Sequence, residues 1–268
     1  MPGVSEPPMT RDTSPSPFVE GARLFREHAP VLLAAALPGP IVRAVGRVLG
    51  LLLAPEPAPE HRLAQLLVAL TSLVLLFFVS DVLTTTSVLR ASLVLLGARE
   101  RTPPFATDAG RVLRVHGLVF ALGLLGSSAF LLPGLVVLVA YAMRNGLALP
   151  IALAEEKGAW SAFASSRALH EGRTAQSLRA HAPVLLLAPF VTIARIVVSP
   201  RVAHLFDSAL AGRFSLGELN RPYFAYLATD VAIDVVWSAF AGSVLAASYV
   251  AFRRPPRVEA GAIARVFE

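Results

Sequence analysis

One segment of this chain cannot belong to a water-soluble domain. Residues 117–143 contain no Asp, Glu, Lys, Arg or His, and most of them are Leu, Val, Ala, Phe or Gly. A helix of a soluble domain presents one apolar stripe and one polar face, whereas a stretch of about 20 apolar residues crosses a bilayer. The segment therefore predicts an integral membrane protein.

The composition of the whole chain supports this prediction. Of the 268 residues, 55% are hydrophobic and 16% are charged, against about 25% charged in an ordinary soluble domain. This length holds about six spans with short connections and leaves no room for a sizeable soluble domain. Because the sequence has no cysteine, a disulfide framework, a thiolate metal site and a cysteine nucleophile are excluded.

The 23 arginines and one lysine outnumber the 18 acidic residues and give a net charge of +6. In a membrane protein such an excess belongs to cytoplasmic loops. No basic-aromatic module typical of nucleic-acid-binding proteins occurs, so nucleic acid is not expected as a partner. The bias toward Arg, Ala, Leu, Val and Pro is typical of a high-GC genome and predicts a bacterial inner-membrane protein.

Hydropathy and proline content divide the chain into a tail, a membrane domain and a second tail. Residues 1–17 include five prolines and almost no apolar residues, which predicts a disordered tail and no signal peptide. The membrane domain covers 18–254, and 255–268 form a cytoplasmic tail. The six predicted spans are 30–53, 63–83, 113–132, 135–154, 180–200 and 226–252.

The first span is the least regular of the six. A short amphipathic stretch, 18–28, precedes it. Pro-Gly-Pro at 38–40 interrupts it, and it contains Arg43 and Arg47. A break is expected at the prolines, because proline lacks the N–H donor that a helix uses.

The second span has a helical pattern longer than a bilayer needs. The pattern continues past Asp81 and Arg90 to Leu96, so the last turns are expected to project into water. Gly97 is well placed to end the helix, since glycine adopts the left-handed conformation of a helix terminus without steric cost.

The apolar region 113–154 is too long for one span and has Pro133 and Gly134 near its centre. Proline removes a helix donor and glycine permits a tight turn. This helix break predicts two spans joined by an uncharged hairpin. The alternative is one span over 117–143 followed by an interfacial piece.

Two short amphipathic helices are expected at the cytoplasmic surface, over 104–114 and 159–171. In the second, helical spacing separates an apolar face from a polar face, and Gly172 ends the helix. The side chains expected to face the membrane are Trp160, Phe163, Ala164 and Leu169, and those expected to face water are Ser165, Ser166, Arg167 and His170.

The distribution of cations predicts the orientation. With six spans, 15 Arg or Lys residues lie on the side of the two termini and 4 lie on the opposite side. Since cytoplasmic loops carry the excess of Lys and Arg, both termini are expected in the cytoplasm. Merging the third and fourth spans would scatter these charges over both faces, which favours the hairpin.

No catalytic motif is found in the sequence. An intramembrane serine nucleophile needs a histidine within hydrogen-bond reach, and none lies mid-span near Ser127 or Ser128. Glu155 and Glu156 could begin a paired-glutamate protease motif, but the arginine that this motif requires four residues later is absent. The six histidines show no metal-ligand spacing, so neither catalysis nor a cofactor is expected.

Four ionisable residues at membrane depth form the candidate site: Arg144, Arg195, Asp230 and Asp234. At about 1.5 Å per residue, they lie roughly 14, 8, 6 and 12 Å below the outer surface, in that order. Such groups mark either ion pairing or a polar pathway. We expect Arg195 to pair with one of the aspartates and Arg144 to share Asp234, either as a structural lock or as a ligand site.

Residues 131–174 carry a set of short motifs. They are the Pro-Gly break, an arginine-containing span ending near Pro150, an acidic turn ending at Gly158, and a helix with Ser165, Leu169 and then Gly172. This stretch resembles the membrane domain of glycerophosphoryl diester phosphodiesterase and related standalone six-helix inner-membrane proteins of bacteria, with weaker similarity over 60–250. The resemblance implies a membrane protein without the catalytic barrel, whose acidic and histidine residues have no counterpart here.

These observations predict an all-α polytopic transmembrane bundle of about six spans. The expected function is that of an integral inner-membrane protein without catalytic activity, in a structural or envelope-support role. The alternative is a small transporter or permease subunit that uses the Arg/Asp cluster. The expected partners are the lipid bilayer and either a second copy or another membrane protein.

The lack of native cysteine makes the orientation directly testable. Single cysteines at Ala58 and Ser215 should react with an impermeant maleimide in intact cells, whereas cysteines at Ala106, Ser165 and Ala260 should stay unlabelled. Labelling at position 165 from outside would contradict the six-span topology, because it would place the 4–5 loop on the outer face.

Overall fold

The computed structural model describes residues 16–52, 62–100, 102–127, 144–198 and 221–254. These residues form helices joined by turns, with no strand among them, which confirms the predicted all-α class. The helices are α1 (Pro17–Ala36), α2 (Pro38–Leu52), α3 (Arg62–Leu95), α4 (Phe105–Ser127), α5 (Ala148–Ala154), α6 (Ala159–His170), α7 (Thr174–Val198) and α8 (Arg221–Arg253).

Three stretches within the described residues are long and apolar enough to cross a bilayer. They are Pro17–Gly50, Leu67–Leu95 and Tyr223–Arg253. The chain thus has the long apolar helices expected of a membrane protein.

The first predicted span begins earlier than expected. The amphipathic stretch at 18–28 belongs to α1, which starts at Pro17, where the Ser16 hydroxyl accepts a hydrogen bond from the Val19 N–H at 3.3 Å. The backbone leaves helical geometry at His28 but the helix continues to Ala36. The break falls at Leu37, because the following prolines cannot donate to the preceding turn.

α3 ends as the sequence predicts. Gly97 has φ +65°, and the Ala98 N–H donates to the Leu93 carbonyl at 2.9 Å while the Gly97 N–H donates to the Val94 carbonyl at 2.9 Å. This pair of bonds is the Schellman arrangement, which satisfies the last carbonyls of a helix. The same φ sign occurs at Gly172 after α6, at +71°.

The structure corrects two expectations in the middle of the chain. The short helix expected at 104–114 is not separate, because α4 runs without a break to Ser127. The fourth predicted span, 135–154, is interrupted by a turn at 146 and 147, so that α5 is a short buried helix. The Pro133–Gly134 hairpin lies outside the described residues.

α1 and α8 are antiparallel neighbours. Glu20, near the start of α1, pairs at 3.1 Å with Arg254, just past the end of α8. The rings of Phe18 and Phe25 meet the ring of Phe240 edge-on, with centroids 5.7 and 5.9 Å apart. Beyond the bend at residue 37, α2 continues along the first half of α8.

α4, α5 and α6 pack around the far ends of α3 and α8. Their shared core includes Leu93, Val112, Ile151, Phe163 and Phe252, all buried. This core tethers the turn after α5 to the end of α8.

A carboxylate secures that turn. Glu155 accepts from the Tyr249 hydroxyl at 3.2 Å and from Arg253 Nε at 2.9 Å, and pairs with Lys157 at 2.8 Å. Burial acts to raise the pKa of Glu155, but hydrogen bonds and charge from Lys157 and Arg253 outweigh it and lower the pKa below its usual value.

A second carboxylate joins α3 to α4. Asp108 is fully buried and accepts two hydrogen bonds from Arg99, at 2.8 and 2.9 Å. Arg90 and Arg111 lie within 3.0 and 3.2 Å of it. A bidentate guanidinium–carboxylate pair holds one geometry, so this cluster fixes the angle between the two helices.

The bend between α1 and α2 allows a matched test of packing. A Cβ at Gly39 would overlap the Thr84 hydroxyl and the Ser80 carbonyl of α3, whereas a Cβ at Gly50 would meet nothing within 4 Å. We expect Gly39→Ala to destabilise by about 1–3 kcal/mol through overpacking and Gly50→Ala to be neutral or stabilising by up to about 1 kcal/mol. Thermal unfolding in detergent measures both, and equal shifts would contradict the close α2–α3 approach.

Candidate solute-binding cavity

Two buried aspartates lie on one face of α8. Asp230 is 6% exposed and Asp234 is 3% exposed. Four residues apart on a helix, they stand one turn from each other on the same face. Asp234 lies 13 residues into α8, about 20 Å from the start of the helix. Both carboxylates are thus deep inside an apolar element.

Two arginines of α2 meet these aspartates. Arg43 pairs with Asp234, and Arg47 Nη1 lies 2.7 Å from Asp230 Oδ2. The arginines are also four residues apart, and α2 is antiparallel to α8, so that the two pairs lie in register. We call this set the Arg–Asp ladder: Arg43, Arg47, Asp230 and Asp234.

Phe77 of α3 covers the ladder from one side. The guanidinium carbons of Arg43 and Arg47 lie 4.9 and 5.0 Å from its ring centroid, within cation–π range. One aromatic ring therefore contacts both guanidinium groups.

Both aspartates were predicted from the sequence, but with other arginines as their partners. Arg144 is exposed, and its carbonyl accepts from the Ser166 hydroxyl of α6 at 3.1 Å. Among the described residues, the Arg144 side chain forms no ion pair. The side chain of Arg195 lies outside the described part of the chain.

Arg43 and Arg47 entered the sequence analysis only as irregularities of the first span. The sequence nevertheless contains a signal for their pairing with the aspartates. Their spacing of four residues equals the spacing of Asp230 and Asp234, and two antiparallel helices can bring two such sets into contact simultaneously.

A cavity of about 370 Å³ opens beside the ladder, between α2, α3, α5, α7 and α8. This volume falls at the lower end of the range for small-molecule pockets, about 300–1,000 Å³. Apolar residues form part of its wall. The charged, hydrogen-bonding and aromatic residues of the wall are Arg43, Ser80, Asp81, Thr84, Thr85, His181, Asp234, Trp237 and Ser238.

Asp81 is the second carboxylate of the cavity wall. Its Oδ2 lies 2.9 Å from Nε2 of His116 on α4, and its side chain is 61% exposed. Nδ1 of His116 is buried and has no hydrogen-bond partner within the described structure. Asp81 therefore lines the cavity and has a histidine, and no arginine, as its described ion-pair partner.

A pair of histidines connects the cavity to α6. His181 lines the cavity, and its Nε2 lies 3.4 Å from Nε2 of His170. His170 Nδ1 lies 2.7 Å from the Ser166 carbonyl. Because a carbonyl only accepts, this nitrogen must be the donor, and His170 Nε2 is then an acceptor for the Nε2 proton of His181.

The prediction of which α6 side chains face water is wrong at two positions. Ser166 and His170 are buried, and the His170 ring lies 4.9 Å from the Phe252 ring. α7 and the end of α8 cover this face, which the spacing within α6 cannot reveal. Trp160 is 75% exposed, while Phe163 is buried as part of the core.

No group of three or more His, Asp or Glu residues able to hold a metal occurs among the described residues. The chain matches no protein-family model, no curated protein and no solved structure. The cavity and the ladder beside it are consequently the basis for a functional assignment.

The buried ladder predicts that removing one partner of a pair lowers the free energy of unfolding substantially. Asp234→Asn leaves Arg43 buried without its counter-charge, and such a loss costs about 3–5 kcal/mol. We expect a lower unfolding temperature in detergent, partly recovered in the double variant Arg43→Asp with Asp234→Arg. Glu27→Gln is the control, since Glu27 is exposed and forms only a long contact with Arg23. Equal stability of all these variants would contradict a buried pair.

Burial of His170 predicts a dependence of stability on pH. Burial lowers the pKa of His170 below its usual value, although the hydrogen bond to the Ser166 carbonyl opposes this shift. The unfolded chain therefore takes up the proton first, and stability falls as the pH drops below about 6.5. The unfolding temperature measured from pH 7.5 to pH 5 should decline less in His170→Gln than in the control His28→Gln; equal declines would contradict this assignment.

Proposed function

We propose that this chain is a polytopic membrane protein that binds a polar solute in the cavity and carries it across the bilayer. The observation that carries this proposal is a cavity of about 370 Å³ with charged and hydroxyl side chains in its wall, set among long apolar helices. Ionisable groups at membrane depth are costly and usually serve pairing or a polar pathway.

The volume and chemistry of the cavity support solute binding over close packing alone. Helices that only support one another pack closely through small residues, as Gly21 of α1 does against Val244 of α8. The contrast between that contact and the open, polar space beside the ladder favours a ligand site.

The finer features of the proposal come from the sequence. The excess of cations on one side favours six spans with both termini in the cytoplasm of a bacterial cell. The resemblance to standalone six-helix inner-membrane proteins is compatible with the same arrangement. Six spans without inverted repeats favour a transporter that works as an oligomer or with a second subunit, and no enzymatic step is proposed.

A second candidate is a structural membrane protein, and the ladder favours it. Each aspartate of α8 has an arginine of α2 as its partner, and Phe77 covers both arginines. Such a set can lock helices together without any ligand. The two candidates differ in one physical property, which is whether water from both sides of the membrane reaches the cavity.

Single cysteines in the cysteine-free chain can measure that property. Thr85 and Ser238 line the cavity from α3 and α8, whereas Leu75 is a 59% exposed apolar residue of α3 that does not line it. A charged, impermeant methanethiosulfonate reagent reacts with a thiol that water can ionise. We expect Thr85→Cys and Ser238→Cys to react in membrane vesicles and Leu75→Cys to stay unmodified.

The orientation of the vesicles separates the candidates. A transporter must open its cavity to each face in turn, so both cavity cysteines should react in right-side-out and in inside-out vesicles. Reaction from one face only, or from neither, would contradict transport and favour the structural candidate.

A further inference from the structure

We infer that the cavity binds a small organic cation, of the class of protonated or quaternary amines, with Asp81 as the counter-charge and Trp237 as an aromatic wall. This inference rests on the proposed solute-binding function and names the class of solute. It follows from the charges, the hydrogen-bonding capacity and the aromatic surface of the wall.

The charges of the wall do not cancel. Arg43 and Asp234 neutralise each other in the ladder, and Asp81 remains. The described ion-pair partner of Asp81 is His116 of α4, whose Nε2 lies 2.9 Å from Asp81 Oδ2 and which does not line the cavity. The wall therefore has one carboxylate, that of Asp81, without an arginine partner among the described residues.

Several polar atoms of the wall are acceptors. The Thr84 hydroxyl donates its proton to the Ser80 carbonyl at 2.9 Å, so only its lone pairs remain for a ligand. His181, if it donates through Nε2 to His170, keeps a lone pair on Nδ1. The guanidinium of Arg43, the strongest donor of the wall, is engaged by Asp234 and Phe77. A ligand that brings N–H donors or positive charge matches these acceptors and the Asp81 carboxylate.

Trp237 provides the aromatic surface of the wall. It lines the cavity one turn from Asp234 on α8. Tryptophan is the best cation–π partner among the aromatic side chains, and aromatic walls are a common means of binding quaternary ammonium groups. A cavity of about 370 Å³ accommodates an organic cation larger than a metal ion.

The chain contains two tryptophans, which makes a direct measurement feasible. Trp160 is 75% exposed on α6 and does not line the cavity. In the full-length Trp160→Phe protein, Trp237 is the sole indole reporter. The probes are tetramethylammonium chloride, sodium methanesulfonate as a small anion, and tert-butanol as a neutral molecule of similar size, with sodium chloride at equal ionic strength as the reference.

We expect tetramethylammonium alone to change the Trp237 fluorescence saturably. Asp81→Asn should weaken this binding at least about tenfold, the effect of losing one charge-assisted contact. Asp81→Glu, which keeps the charge, should retain binding, as should the exposed control Glu27→Gln. Asp81→Glu changes the side chain but keeps its charge. Retained binding in this variant therefore assigns the weaker binding of Asp81→Asn to the lost charge and not to unfolding.

The outcomes distinguish this inference from the proposal on which it rests. Saturable binding of methanesulfonate, or undiminished tetramethylammonium binding in a folded Asp81→Asn protein, would overturn the cation assignment. No response to any probe, with cavity cysteines reactive from both faces, would overturn the cation class and leave solute transport standing. Unreactive cysteines would overturn solute transport itself.

Discussion

The pairing of two arginines on α2 with two aspartates on α8 is the interaction on which the described structure depends. Removing a charge from water costs several kcal/mol unless a partner and hydrogen bonds compensate for it. Neither helix could bury its own pair of charges alone. Because both pairs have a spacing of one turn, only one antiparallel register of α2 on α8 satisfies all four groups, and Phe77 covers the result from α3.

The bend at Leu37 makes this register compatible with the rest of the bundle. α1 packs closely on the second half of α8 through Gly21 and the ring of Phe240, and α2 then follows the first half. Gly39, directly after the bend, lets α2 approach the backbone of α3 at Ser80. The cavity lies where these helices and α7 leave space beside the ladder, so the bend and the pairs together define its wall.

The ladder and the cavity have different electrostatic roles. In the ladder, each charge meets its opposite within the protein, which suits a structural function. In the cavity wall, Asp81 is largely exposed and has a histidine as its described ion-pair partner. In the proposed function, the neutralised pairs stabilise the helices and the carboxylate of Asp81 selects the solute.

The sequence by itself determined the apolar helices, the helix end at Gly97 and the presence of buried aspartates, because these depend on residues near one another along the chain. The joining of 104–114 to the following apolar helix was missed, since a polar first turn does not require a break. Only the tertiary structure decided that Asp230 and Asp234 meet Arg47 and Arg43, and that His170 meets His181. Those contacts depend on the bend at Leu37 and on which helices lie side by side. Periodicity within one helix shows which residues share a face, but it carries no information about the helix that will cover that face.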